Sequence, residues 1–129
     1  MKIALTVWED RISPVFDVAN MLLVADVEKG EVKKCRLVEM EHVGISRLVD
    51  MLRRMQISVL VCGAISELPA TTVSTAGIRL IPFISGKTDH ILEFLSEGKP
   101  IIPAFAMPGV RRRRRRKGRL STVVEECLP

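Results

Sequence analysis

The sequence predicts an α/β domain of three layers, with a five-stranded mixed sheet that opens on an antiparallel hairpin and closes with two β-α-β crossovers. Three observations carry this expectation. Short apolar and β-branched runs at residues 2–8, 21–27, 32–38, 58–63 and 78–83 read as five strands. Between residues 45 and 55 the apolar spacing changes to a helical period. From there on helices and strands alternate, the pattern of parallel strands joined by right-handed crossovers.

Taken in order, Lys2 to Trp8 is apolar until Glu9-Asp10 and reads as a buried strand. Asp10 to Asn20 reads as an ordered loop, because Pro14 disfavours helix at Ser13 and polar and large apolar residues are mixed. Met21 to Val27 and Val32 to Val38 form a hairpin across Glu28-Lys29-Gly30-Glu31, where Gly30 supplies a positive φ. In the first helix, 45–55, Ile45, Leu48, Val49, Leu52 and Met55 share one face, opposite Arg47, Asp50, Arg53 and Arg54. Ser58 to Gly63 is a central strand that turns at Gly63. Ser66 caps a short helix with Pro69 in its first turn and Gly77 at its end. Ile78 to Phe83 is a strand near an edge, because Pro82 cannot donate to a ladder. A last helix starts at Thr88 as N-cap and runs through Ile91, Leu92 and Leu95 to Gly98.

At 129 residues, 47% hydrophobic and 27% charged, the chain has the composition of one soluble domain. No apolar run approaches the ~18 residues of a membrane span, and the acidic pair at 9–10 comes too early for a signal peptide, so the expected location is the cytoplasm. Cys35, Cys62 and Cys127 make neither a disulfide framework nor a zinc spacing. The net charge of +5 is concentrated in one place. Residues 1–110 are almost neutral, whereas Arg111, Arg112, Arg113, Arg114, Arg115, Arg116, Lys117 and Arg119 form a basic run. The domain is therefore expected over 1–99, followed over 100–129 by a Pro-rich apolar linker and a disordered basic tail. Such a tail suits RNA or DNA phosphates, anionic lipid or an acidic partner protein; without interleaved aromatic residues, its nucleic-acid contact would be non-specific.

In a sheet of this kind ligands bind beyond the carboxyl ends of the parallel strands, which gathers the loop after Trp8, the Cys62-Gly63 turn and Ser85-Gly86-Lys87-Thr88. Cys62 is placed to offer a thiolate to a soft metal cluster; the alternative is a small buried hydrophobe. His42 and His90 are imidazole candidates. Cys35 reads as edge packing and Cys127 as incidental. Ser85 to Thr88 is not a phosphate loop, because Ile81 stands where the first Gly belongs, but its N–H groups suit an anion. Asp10, Asp17, Asp26 and Asp89 are the carboxylates a metal-dependent nuclease would enlist. That reading lacks an acid on the first strand itself.

Several strings in this order resemble one family: Met1-Lys2-Ile3-Ala4, the loop Ser13-Pro14-Val15-Phe16-Asp17-Val18-Ala19, the hairpin Val27-Glu28-Lys29-Gly30-Glu31-Val32, Val61-Cys62-Gly63-Ala64-Ile65, and Ala76-Gly77-Ile78. Over about residues 1–98 the chain is similar to the dinitrogenase iron-molybdenum cofactor biosynthesis family, small domains with a ribonuclease-H-like fold. The resemblance implies non-enzymatic binding or carriage of an iron-sulfur or iron-molybdenum cluster, with a cluster donor or acceptor protein as partner. It carries over Ser13, Pro14 and Phe16 as loop architecture and Cys62-Gly63 at the strand end; with Asp17 and His42, read from the sequence itself, these make the expected cofactor-binding crevice, with Cys62 as metal ligand. Many members have Ser-Pro-His-Phe in the first loop; here Val15 stands in place of that His.

Overall fold

In the computed structural model, which describes residues 1–40, 44–99, 101–102 and 104–107, a single mixed sheet carries helices on both faces. Strand β1 (Lys2–Trp8) lies at its centre. A two-residue strand, β2 (Arg11–Ile12), folds back on the end of β1. Strands β3 (Met21–Glu28) and β4 (Glu31–Glu39) form the hairpin, and β3 pairs antiparallel with β1. On the other side, β5 (Ile57–Val61) and β6 (Arg79–Ile81) add in parallel, so the order is β4-β3-β1-β5-β6.

Alternation along β1 divides the core. Ile3, Leu5 and Val7 join Val59, Val61 and Ile81 beneath helix α3 (Thr88–Ser96), which contributes Ile91, Leu92 and Leu95. Ala4, Leu22, Val24 and Leu60 lie on the opposite face. There they meet Leu48, Val49 and Leu52 of helix α1 (Ile45–Arg54) and Val73 of helix α2 (Glu67–Thr75).

Several boundaries differ from expectation for identifiable reasons. The hairpin turn is tighter than four residues: Lys29 and Gly30 both take positive φ, 51° and 77°, the mirror-image turn that lets Glu28 pair with Glu31. The central strand stops at Val61, which leaves Cys62 and Gly63 beyond it. Thr88 is the first residue of α3 and not its N-cap; its N–H and its hydroxyl both donate to the Asp10 carbonyl, at 2.9 and 3.2 Å. Ser66 does occupy the cap position of α2.

The boundary expected near Pro100 falls inside packed structure. Ile101 and Ile102 are buried in the α3-side core, and Phe105 meets Phe94 edge to face at 4.9 Å. The Ser85 N–H donates to the Phe105 carbonyl (2.7 Å), and the Met107 N–H to that of Phe83 (2.8 Å). Proline content suggested a linker there; the apolar side chains instead complete the rim of the core. The run Arg111 to Arg119, Cys127 and His42 lie outside the described residues.

Candidate functional site

The loops after β1, β5 and β6 are sewn together by main-chain hydrogen bonds. After β2 reverses the chain, the Ser13 N–H donates to the Thr6 carbonyl (2.9 Å). Pro14 then accepts from the Ala64 N–H, and the Phe16 N–H donates to the Ala64 carbonyl, both at 2.8 Å. On the other flank the Phe83 N–H donates to the Gly63 carbonyl (2.9 Å) and the Ile84 N–H to that of Cys62 (3.0 Å). Gly63 has to be glycine for space: a Cβ there would lie 2.5 Å from the Pro14 carbonyl oxygen and closer still to that of Ser13. The juxtaposition of Ser13, Pro14, Phe16 and Asp17 with Gly63 is thus a property of the backbone.

Beside this seam lies a cavity of about 220 Å³, walled by Phe16, Asp17, Met40, Gly44, Leu48 and Pro69, with Ile45 at the start of α1. Phe16–Val18 is a single 3-10 turn that buries Phe16. The Asp17 carboxylate accepts from the Ser66 hydroxyl, 3.2 Å from both oxygens, which ties the turn to the start of α2. Helix α1 opens at Gly44 (φ 120°) with no side-chain cap and no acid in its first turn. Its amino end is therefore a partial positive charge beside the cavity. Met40 and Gly44, both in the wall, bracket residues 41–43, which carry His42.

Cys62 does not sit as a thiolate ligand requires. It is wholly buried in the α1-side core with Ala4, Phe16 and Leu60. Burial first, and the Asp17 carboxylate second, push its thiol up to about 12. In this setting the side chain packs as a small, neutral core residue. Among the described residues no three His, Cys, Asp or Glu side chains gather where they would hold a metal ion, and the four carboxylates Asp10, Asp17, Asp26 and Asp89 accordingly form no such cluster. His90 is exposed on α3, across the sheet from the cavity. Cys35 is exposed on β4; partial burial, then Asp89, raises its thiol. The anion cradle expected at Ser85 to Thr88 is filled: a Cβ at Gly86 would touch the Phe105 ring at 2.9 Å, and the Thr88 N–H is spent on Asp10.

Two further features lie outside these expectations. Glu9 and Phe83 take φ of 57° and 61°, a left-handed backbone that non-glycine residues seldom adopt, where the chain leaves β1 and β6. Thr6, on the same face of β1 as Ala4, keeps a buried hydroxyl with no hydrogen-bond partner among the described residues. A polar residue inside an apolar strand was the available signal.

The fold and this seam define a small α/β domain with a cavity at the carboxyl edge of a mixed sheet. Residues 1–98 match the dinitrogenase iron-molybdenum cofactor family, and the chain belongs to it. The described chain is similar in structure to PH0822 (TM-score 0.69, 18% identity, covering 77% of this chain and 93% of that one). It is also similar to MJ0327 of Methanocaldococcus jannaschii (TM-score 0.64, 20% identity, covering 77% and 90%). The apo form of the orange protein from Desulfovibrio gigas follows the same fold (TM-score 0.56, 21% identity, covering 73% and 86%). At these identities the likeness shows the fold alone. No curated protein sequence matches the chain, and among the described residues no helix is long and apolar enough to cross a membrane.

Proposed function

We propose that this protein binds an anionic metal–sulfur cofactor, or a precursor of one, as a cargo that it carries and does not transform. The observation that supports the reading is the cavity of about 220 Å³ where the family-matching loop meets the uncapped start of α1. Phe16, Met40, Ile45 and Leu48 supply the apolar, soft part of its wall, and the N–H groups of α1 favour negative charge. Asp17 also lines the cavity, and the Ser66 hydroxyl donates to both of its carboxylate oxygens, which holds that charge toward the start of α2. The described residues do not fit a thiolate-ligated cluster, so the grip is non-covalent; His42, which lies in sequence between the wall residues Met40 and Gly44, is the proposed imidazole donor. Non-catalytic carriage fits a fold we read as ribonuclease-H-like from its strand order, with a first strand, Lys2–Trp8, that carries no carboxylate.

Titration with tetrathiomolybdate, followed by its absorption bands, tests this. Wild type and Cys62→Ala should bind alike, whereas Ile45→Asp should bind at least tenfold more weakly, because it puts a like charge at the cavity wall. Equal binding by Ile45→Asp contradicts the site. The second reading, phosphate binding by Arg111 to Arg119, concerns a separate segment; removing residues 108–129 should abolish salt-sensitive RNA binding and leave tetrathiomolybdate binding unchanged.

A further inference from the structure

We propose that the free edge of β4, with the cationic groove beside it, is a docking surface for an extended acidic segment of a partner protein, which joins the sheet as one more strand. Among the described residues β4 has a single strand neighbour, β3, and over its nine residues the side facing away from β3 presents unpaired backbone N–H and C=O groups. The α1-side face of the hairpin next to this edge holds a groove of about 550 Å³. Lys2 stands across from Asp26 and Asp26 across from Lys34, while Val24 stands across from Arg36, so three cations share the groove with one carboxylate. That carboxylate already lies 3.8 Å from the Met1 amino group. Val24 and Met55 supply apolar floor and rim.

Cations on an edge strand by themselves only deter pairing. What distinguishes this edge is how they are shared out. Lys33 is neutralised by Glu31 at 2.9 Å. The side chains of Lys2, Lys34 and Arg36, by contrast, make no hydrogen bond or ion pair among the described residues. Lys34 and Arg36, two apart on one strand, match acidic side chains two apart on an added strand. A second copy of this chain fits less well: two β4 strands fully overlapped and antiparallel would set Lys34 against Arg36. A nucleic acid would use the cations but not the unpaired peptide groups. An acidic β-strand uses both.

The test is peptide-resolved hydrogen exchange on the full chain, with a synthetic peptide that alternates Glu with Val and Thr as probe. At about ten times its Kd the probe should slow exchange of the outward β4 amides about tenfold. The exposed double variant K34E/R36E, and the milder K34Q/R36Q should either fold poorly, should raise that Kd about tenfold or more. The basic run is present in every one of these proteins, so the difference isolates the groove. No slowing at β4, equal slowing by a probe with Pro at alternate positions, equal slowing in the charge variants, or displacement of the probe by an oligonucleotide would each overturn the proposal. So would β4 protection that grows with protein concentration in the absence of probe, because the edge would then serve a second copy.

Discussion

Substituting Gly63→Ala puts a methyl group where two carbonyl oxygens already stand. Gly63 is buried and its φ is not in the left-handed region, so the cost is one of space alone. The new Cβ would lie 2.5 Å from the Pro14 oxygen and 2.8 Å from its carbonyl carbon, both backbone atoms that no rotamer change can move. Relief requires the Ser13–Pro14 segment to back away by roughly an ångström, which stretches the Ala64–Pro14 and Phe16–Ala64 bonds, each 2.8 Å. Overpacking costs about 1–3 kcal/mol, and each weakened bond up to about 1 kcal/mol, so the expected loss is roughly 2–4 kcal/mol. The urea midpoint should fall at unchanged m, and Tm should drop by roughly 6–20 °C. Gly77→Ala is the control: nothing lies within 4 Å of its Cβ, and the cost is the φ of +88° alone, about 1 kcal/mol. A loss at Gly63 below about 0.5 kcal/mol would refute the claim that this glycine holds the seam together.

Three further outcomes follow from the same geometry. Thr6→Val removes the one buried hydroxyl without a partner among the described residues, and should raise stability by about 1 kcal/mol in a urea melt. The Cys62 thiol titrates near 9.0 unfolded and about 12 folded. Its contribution is whole below pH 9 and is lost as pH climbs toward 12, by at most about 4 kcal/mol; Cys62→Ala should flatten that decline in melts compared across pH 8–12. Ending the chain at Lys99 removes Ile101 and Ile102, 0% and 3% exposed, and should cost at least about 4 kcal/mol relative to a chain ending at Met107.

The elements that could be read from sequence are those in which local pattern and tertiary setting agree. Lys2–Trp8 is buried on both faces and bounded by acids, and α1 is amphipathic along its whole length. The meeting of Ser13–Asp17 with Gly63 could be anticipated from the rule that such sheets bind ligands at their carboxyl ends. What escaped was non-local. Whether Cys62 faces the crevice or the core depends on where β5 stops, a matter of one residue because side chains alternate. The packing of Ile101, Ile102 and Phe105 carries no period and declares itself only against α3. The α1 amino end gained its place at the cavity from Gly44, whose φ of 120° is a backbone choice that composition does not announce.

The central claim is that the cavity between Phe16, Met40 and Ile45 carries a metal–sulfur cargo without help from Cys62. Its most direct test is the iron and molybdenum content per chain after anaerobic incubation with ferrous iron, sulfide and tetrathiomolybdate followed by gel filtration, compared among wild type, Cys62→Ala, His42→Ala and Ile45→Asp. The account predicts stoichiometric metal in wild type and Cys62→Ala, with loss in the other two; metal that disappears with Cys62→Ala, or persists in Ile45→Asp, would contradict it.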